Sequence, residues 1–324
     1  MSEYGEVGQL GTLNGLNVLY RDKAHFEEKL NRFKEAGIDK CQIISDFDFT
    51  LSRYFQEDGS SRSASCHMVL EKYKSLPSSY TAKATALQQH YHPIENDMSI
   101  SKEEKYQHMA DWANKANDLF REAGLTKDIL HDAVQEALDT GIFRTRQDLK
   151  ELLQLILDKN VPLLLFSAGL ANVLEHAILR VLHPEAEEKD LRGMVLTDMY
   201  ENVNVISNRV IWDKNGGLID FSSPVLHVMN KSCTAFLDTN PHFALCGAAR
   251  SKLFLFGDSL GDLKMSIGLD YLQPSDIIKV GFLNAKDHAP LLSKYLDTSA
   301  YDLVILGDPS LQVHLALLKS VIGL

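Results

Sequence analysis

The chain has 324 residues, enough for one large α/β domain carrying an insertion or for two modest domains. Hydrophobic residues make up 45% and charged residues 24%, an ordinary globular mixture that argues against disorder. The net charge of −11 offers no basic surface to a polyanion, which argues against polymeric nucleic acid as a partner. Any phosphate must then be met by local positive charge from a metal, a lysine or a helix N-terminus.

Residues 24–36 space Phe26, Leu30 and Phe33 at helical intervals, with Gly37 placed as a C-cap. The apolar pair Ile43-Ile44 then breaks into Asp-Phe-Asp-Phe-Thr, as a buried parallel strand does at its carboxyl end. The polar, Gly/Ser-rich stretch 53–66 carries the chain away from that strand. From about 67 to 145 the periodicity is helical throughout. Tyr106, Met109, Trp112, Leu119 and Phe120 form one apolar stripe ending at Gly124, and Thr126 and Gly141 bracket a further helix.

The α/β pattern resumes with a helix over QDLKELLQLILDKN, a strand over VPLLLFSAG and a helix over LANVLEHAILRVL. Residues 202–229 alternate β-branched and aromatic residues around Asn215-Gly216-Gly217, which predicts a hairpin. SKLFLFGDS, IIKVGFL and YDLVILGD read as three more strands, with a helix through LKMSIG after the first. The expected fold is a doubly wound parallel α/β sheet, with a core at 1–52 and 150–324 and an all-helical cap at 53–149.

Three apolar strands end in polar groups: Asp46 with Asp48, then Ser167, then Asp258 with Asp262 close behind. If those strands are neighbours, the groups converge at the carboxyl edge, where such sheets form their crevice. A phosphoryl group there needs a nucleophile, an acid/base, a metal and donors for its oxygens. Asp46 suits the nucleophile, to form an aspartyl-phosphate. Asp48, two residues on, suits the acid/base that protonates the leaving oxygen and then activates water. Asp46, Asp48 and Asp258 make an oxygen-only donor set suited to Mg²⁺. Ser167 reads either as a phosphate-binding hydroxyl or as a cap for the helix that follows.

The order DFDFT, FSAG, Lys231 in HVMNK and GDSLGD resembles the motif series of the haloacid-dehalogenase superfamily. The resemblance implies that Asp46 is nucleophile, Asp48 acid/base, Ser167 and Lys231 phosphate-binding, and Asp258 with Asp262 the acidic metal motif. It also implies Ala168 beside the substrate and Thr50 in support. Longer strings (QIISDFDFTLSR, HYHPIE, EKYQHM, LLLFSAGLANVLE, VISN, LFGDSLGDLKM and IKVGFLN) are similar to the cytosolic 5′-nucleotidase III family from about residue 24 onward. That family comprises pyrimidine nucleotidases and a relative acting on 7-methylguanosine monophosphate.

The family resemblance implies Mg²⁺-dependent hydrolysis of a nucleoside 5′-monophosphate, with phosphotransfer to a second nucleoside open to the same apparatus. It places Glu95 against the base. Trp112 stands on a family tryptophan, either facing the base or buried in the helical stripe. Ala116 leans towards the methylguanosine branch, whereas Ala113 removes a stacking ring that branch would use. Another capped phosphatase of small phosphomonoesters, or a non-catalytic nucleotide sensor, are the alternatives.

Cys41, Cys66, Cys233 and Cys246 form no C-x-x-C pair and read as reduced thiols. Cys66-His67 and His90-x-His92 lack the second pair that structural zinc requires. The acidic start is not a secretory signal, and no run nears roughly 18 apolar residues. The expectation is a cytoplasmic monomer with no membrane partner, acting on a small nucleotide.

Overall fold

The structure is a computed structural model that describes residues 8–13, 16–59, 61–97, 99–192, 194–235, 249–286, 288–307 and 310–324. Cys246 lies outside them. Eight strands form one sheet in the order β1-β2-β10-β9-β8-β3-β4-β5. They span β1 Gln9–Leu13, β2 Leu16–Tyr20, β3 Cys41–Ser45, β4 Leu163–Leu170, β5 Val203–Asn208, β8 Lys252–Gly257, β9 Ile277–Leu283 and β10 Leu303–Leu306. The six strands from β10 to β5 are parallel, whereas β1 and β2 add an antiparallel edge. Two further strands, β6 Val210–Trp212 and β7 Leu218–Phe221, form a separate antiparallel pair.

Successive strand residues bury to opposite faces, as the pleat requires: Ile43 and Phe254 join one apolar cluster, Ile44 and Leu255 the other. The first face carries α1 (Lys23–Ala36), α6 (Leu149–Asp158), α7 (Ala171–Leu182) and α11 (Gln312–Ile322). Asp22 caps α1 by accepting from the His25 amide, and the helix stops at Gly37, where φ is +80°. The second face is covered in part by the 3₁₀ turn Asp262–Ser266 and by α10 (Ala289–Tyr295), which donates Leu292 and Tyr295 to the apolar cluster.

From β3 the chain runs outward on one side through β4 and β5, and on the other through β8, β9 and β10. This makes β3 the topological switch point, with the crevice at its carboxyl end. The segment between β3 and β4 is helical, with α2 (Cys66–Lys72), α3 (Ser78–Asn96), α4 (Lys102–Glu122) and α5 (Lys127–Thr140). The short helices α8 (Glu188–Leu191) and α9 (Leu196–Met199) follow α7.

Two expectations need correction. The segment 202–208 is a strand of the main sheet, parallel to β4, so the hairpin is confined to β6 and β7. That hairpin also leans on the insertion: Phe221 packs on Phe120, and Arg121 pairs with Asp220 at 2.6 Å. The stretch LKMSIG holds Leu263 to Ser266 of the five-residue 3₁₀ turn and no α-helix. The hairpin β1–β2 was unforeseen, although Asn14-Gly15 between alternating residues is its sequence signal.

Candidate active site

The three strands whose ends carry polar groups are neighbours, in the order β8-β3-β4. Asp46 directly follows β3 and Asp258 directly follows β8, while Ser167 lies within the last turn of β4's extended run. The Asp46 amide donates to the Phe256 carbonyl at 3.0 Å, so the first carboxylate is fixed by the neighbouring strand.

Asp46 is 5% exposed. One of its oxygens accepts from Thr50 Oγ1 at 3.1 Å and the other from Lys231 Nζ at 2.5 Å. Lys231 also donates to Asp262 Oδ1 at 2.6 Å. The loop bearing the lysine is held by Asn230, which accepts from the His227 amide and donates to the Val225 carbonyl. Asp262 Oδ2 accepts from the amides of Asp258 and Ser259 and from Ser259 Oγ, at 2.9–3.0 Å. Both Asp262 oxygens are thereby engaged, which makes this residue the organiser of the Gly-Asp-Ser turn. Tyr295 and Tyr301 secure the same turn by donating to the carbonyls of Asp258 and Ser259.

Asp48 lies apart from this cluster, against the insertion. Its Oδ1 accepts from the Cys66 amide at 2.9 Å, at the first residue of α2. Gly169 gives its other oxygen room: a Cβ there would meet Asp48 Oδ2 and Cys66 Cβ, each at 2.8 Å. Ser167 is no helix cap, since Leu170 precedes α7 without a side-chain bond, and Ser167 Oγ instead accepts from the Gly169 amide at 3.0 Å. The main chain turns sharply after Asp48, with Phe49 at φ +65°. Arg146, 2% exposed, locks that turn by donating to the carbonyls of Phe49 and Thr50 and to Asn284 Oδ1, each at 2.8 Å.

Burial pushes the carboxyls of Asp46, Asp48 and Asp258 above the usual range. Lys231 opposes this at Asp46, while the charge of Asp262 adds to it at Asp46 and Asp258. Burial alone would lower Lys231, but Asp262 and Asp46 outweigh it and hold the ammonium charged. One oxygen each from Asp46, Asp258 and Asp262 lies within 4.8 Å of the others. This is a candidate divalent-metal site: crowded hard oxygens carry more negative charge than one lysine balances, and a dication would relieve the excess. The Asp48 carboxylate, expected among the ligands, is not in the group, whereas Asp262 is.

The acidic crevice, of about 270 Å³, adjoins a second cavity of about 380 Å³ under the insertion. Arg62, Ser65, His67, Glu95, Ala168 and Val228 line both. The second cavity is nucleoside-sized and is also walled by Trp112, Ala113, Ala116 and Asn117. Trp112 is half-buried: it lines the cavity and stacks on buried Tyr91, with centroids 5.8 Å apart and 12° between the planes. Glu95 sits in the last turn of α3, where burial raises its carboxyl against the pull of His92, Arg62 and Lys105.

Arg62 and Arg146 were not singled out from the sequence. Arg62 packs over the rings of Phe49 and Tyr54, at 4.6 and 5.1 Å from their centroids, and its charge acts on both Asp48 and Glu95. Its only sequence trace is a lone cation in a polar loop, and Arg146 leaves no more.

A model of the pyrimidine 5′-nucleotidase (UMPH-1) family matches residues 49–322. The chain belongs to this family. It is therefore a 5′-nucleotidase, a phosphoric monoester hydrolase. The chain is 34% identical over 315 residues to the Xenopus laevis 7-methylguanosine phosphate-specific 5′-nucleotidase A, covering 97% of this chain and 98% of that one. With the Homo sapiens 7-methylguanosine phosphate-specific 5′-nucleotidase the identity is 31%, over 97% and 95% of the two chains. The crystal structure of cytosolic 5′-nucleotidase IIIB bound to cytidine matches 94% of this nucleotidase, with TM-score 0.75 and 28% identity. Among the described residues no helix is long and apolar enough to cross a membrane.

Proposed function

We propose that this nucleotidase hydrolyses nucleoside 5′-monophosphates by way of an aspartyl-phosphate on Asp46, with Mg²⁺ as its metal. The observation that carries the reading is the continuity of two cavities: the carboxylate crevice opens, past Arg62 and Ala168, onto a nucleoside-sized space edged by Glu95 and Trp112. A phosphate in the first and a base in the second would bring the 5′ oxygen beside Asp48.

In this mechanism Asp46 attacks phosphorus while Asp48 gives a proton to the departing 5′ oxygen. Asp48 then takes a proton from water, which attacks the acyl-phosphate and releases phosphate, restoring both side chains. The raised Asp48 carboxyl suits both proton transfers. Lys231 and Ser167 hold the phosphate oxygens, and Thr50 orients Asp46. Asp46 and Asp258 would hold Mg²⁺, which supplies charge neutralisation between the carboxylates and the phosphate. Asp262, both oxygens taken, positions Lys231 and the Asp258 turn.

Residues 53–149 act as the cap that carries base recognition. We assign 7-methylguanosine monophosphate as the preferred substrate, with pyrimidine monophosphates accepted. The relatives named for 7-methylguanosine phosphate support this, as does the site's own make-up. A cationic methylated purine gains from the Trp112 face and from the Glu95 carboxylate, and Ala116 keeps the wall beside them small, while Ala113 offers no second ring. The protein is taken to be a cytoplasmic monomer.

The test compares kcat/KM for 7-methylguanosine monophosphate, CMP and UMP with Mg²⁺ present. Preference for the methylated purine, lost on Glu95→Gln, is expected. Equal or better turnover of CMP would overturn the assignment of the base, and no turnover of any nucleotide would overturn the whole reading.

A further inference from the structure

Away from the catalytic crevice, three side chains with metal-ligating atoms meet where the insertion touches the sheet's helical layer. His131 lies on α5, His176 on α7, and Glu188 opens α8. One ligand atom from each lies within 4.8 Å of the other two. The two imidazole Nδ1 atoms face each other at 3.1 Å. That separation accommodates one ion between them, at zinc–nitrogen distances of about 2.0–2.1 Å.

The polar atoms here are under-used. His176 Nε2 and Glu188 Oε1 are buried and make no hydrogen bond among the described residues. The nearest Glu188 oxygen stands 3.5 Å from His176 Nε2, and the His176 side chain is 1% exposed. Glu188 Oε1 has, among the described residues, Arg192 Nε at 3.7 Å, which leaves it open to a closer ligand, whereas His176 Nε2 diverges from the Nδ1 pair and faces Glu188. Burial also pushes both imidazoles down to about 4, so at neutral pH each ring offers a lone pair.

Charge around the cluster is close to balance. Glu188 pairs with Arg180 at 2.9 Å, and Arg192 lies against Asp128, Asp132 and Glu188. Three carboxylates therefore face two guanidiniums and the Lys127 ammonium, with neutral imidazoles between them. Two nitrogen donors and one oxygen suit Zn²⁺ and its neighbours in the transition series, and not Mg²⁺, which takes oxygen.

We propose that His131, His176 and Glu188 form a transition-metal site of the zinc class, with its fourth position open to water, that fastens α5 of the insertion to α7 of the core. The site is independent of the catalytic acidic cluster, which lies at the strand ends. Its role is mechanical: α7 follows directly from the strand bearing Ser167 and Gly169, and α5 packs on α2, whose first amide holds Asp48. Tying α5 to α7 fixes the two halves of the crevice to each other.

The competing account is a metal-free pair, in which one Nδ1–H donates to the other Nδ1. Calorimetric titration of chelator-treated protein with Zn²⁺, in excess Mg²⁺ to occupy the catalytic site, separates the two. One equivalent of zinc should bind to the wild type and raise its Tm. Binding should weaken at least tenfold in Glu188→Gln and in His176→Gln, and Co²⁺ in its place should give visible absorption that both variants lose. Glu188→Gln leaves the histidine pair intact, so it remains informative if His176→Gln folds poorly. No zinc uptake by the wild type, or uptake unchanged in Glu188→Gln, would overturn the proposal and leave the histidine pair as a hydrogen bond only.

Discussion

Arg146 donates from Nη2 to the Phe49 carbonyl at 2.8 Å, across 97 positions of sequence. Phe49 is one of the few non-glycine residues at positive φ, a conformation that costs energy and persists only when its surroundings impose it. The same guanidinium packs on Phe282, 3.7 Å from the ring centroid, and also donates to the Thr50 carbonyl and Asn284 Oδ1. Arg146→Met keeps the bulk and removes the donors. Urea unfolding should show a loss of about 3–5 kcal/mol, since the buried Thr50 carbonyl and Asn284 Oδ1 lose their donor, while the Phe49 carbonyl keeps Asn284 Nδ2. Arg146→Lys should fall short of full rescue, because one ammonium cannot reproduce the planar fork.

Gly169→Ala tests the space beside the acid/base. The added methyl would sit 2.8 Å from Asp48 Oδ2 and 2.8 Å from Cys66 Cβ. Neither neighbour can retreat cheaply, because Cys66 is buried in the core and its amide holds Asp48. A displaced acid/base should lower kcat by roughly 100-fold, the scale on which misplaced catalytic groups act, with circular dichroism unchanged. Turnover within a few-fold of wild type would show that Asp48 works from another position.

Asp48→Asn should lower kcat by about 10²–10⁴-fold, the span that general acid–base catalysis contributes. Both halves of the reaction should slow, so the phosphoenzyme should neither form nor decay at wild-type rates in rapid-quench measurements. A variant that forms phosphoenzyme at the normal rate would confine Asp48 to the hydrolytic half.

How much of this was legible in the sequence depends on distance along the chain. Asp46, Asp48, Ser167 and Asp258 announce themselves because each ends an apolar strand, and strand ends are a local signal. Their convergence needed the strand order β8-β3-β4, which alternating strands and helices permit and the structure supplies. Glu95 and Trp112 carry no such local mark. Their place at the cavity was implied by resemblance, and here they line it. Arg146 and Asn284 were invisible, since their partners lie 96 and 235 positions away, and a lone arginine or asparagine has no pattern. His131 and His176 sit on separate amphipathic helices, 45 residues apart, and each alone reads as an ordinary helix residue.

Arg62 is the cation that both cavities share. Its charge faces Asp48 on one side and Glu95 on the other, so a nucleotide spanning the two spaces passes it. Arg62→Ala should raise KM by roughly tenfold, the weight of one charge-assisted contact of about 1.5 kcal/mol. Inhibition by inorganic phosphate should weaken in parallel. An unchanged phosphate inhibition constant would place Arg62 on the nucleoside, away from the phosphate.

His314 gives the protein a predictable acid sensitivity. It is fully buried between Phe256 and Phe282, and neither ring nitrogen has a hydrogen-bond partner among the described residues. Burial, with the charge of Arg146, lowers its pKa to about 3. The unfolded chain takes a proton on this ring near pH 6.5, so below that pH the unfolded state binds more protons than the folded one. Its contribution is therefore fully present above about pH 6.5 and is lost as pH falls towards 3, at about 1.4 kcal/mol per pH unit. His131 and His176, both lowered to about 4, act in the same direction. His314→Leu removes one histidine from this sum and two unpaired polar atoms from the core. Denaturant unfolding at pH 7 and pH 5 should show less acid destabilisation in the variant than in the wild type. If the two proteins lose the same stability between those pH values, the folded ring takes up its proton over the same range as the unfolded one, and the aromatic sandwich around it must tolerate a charge.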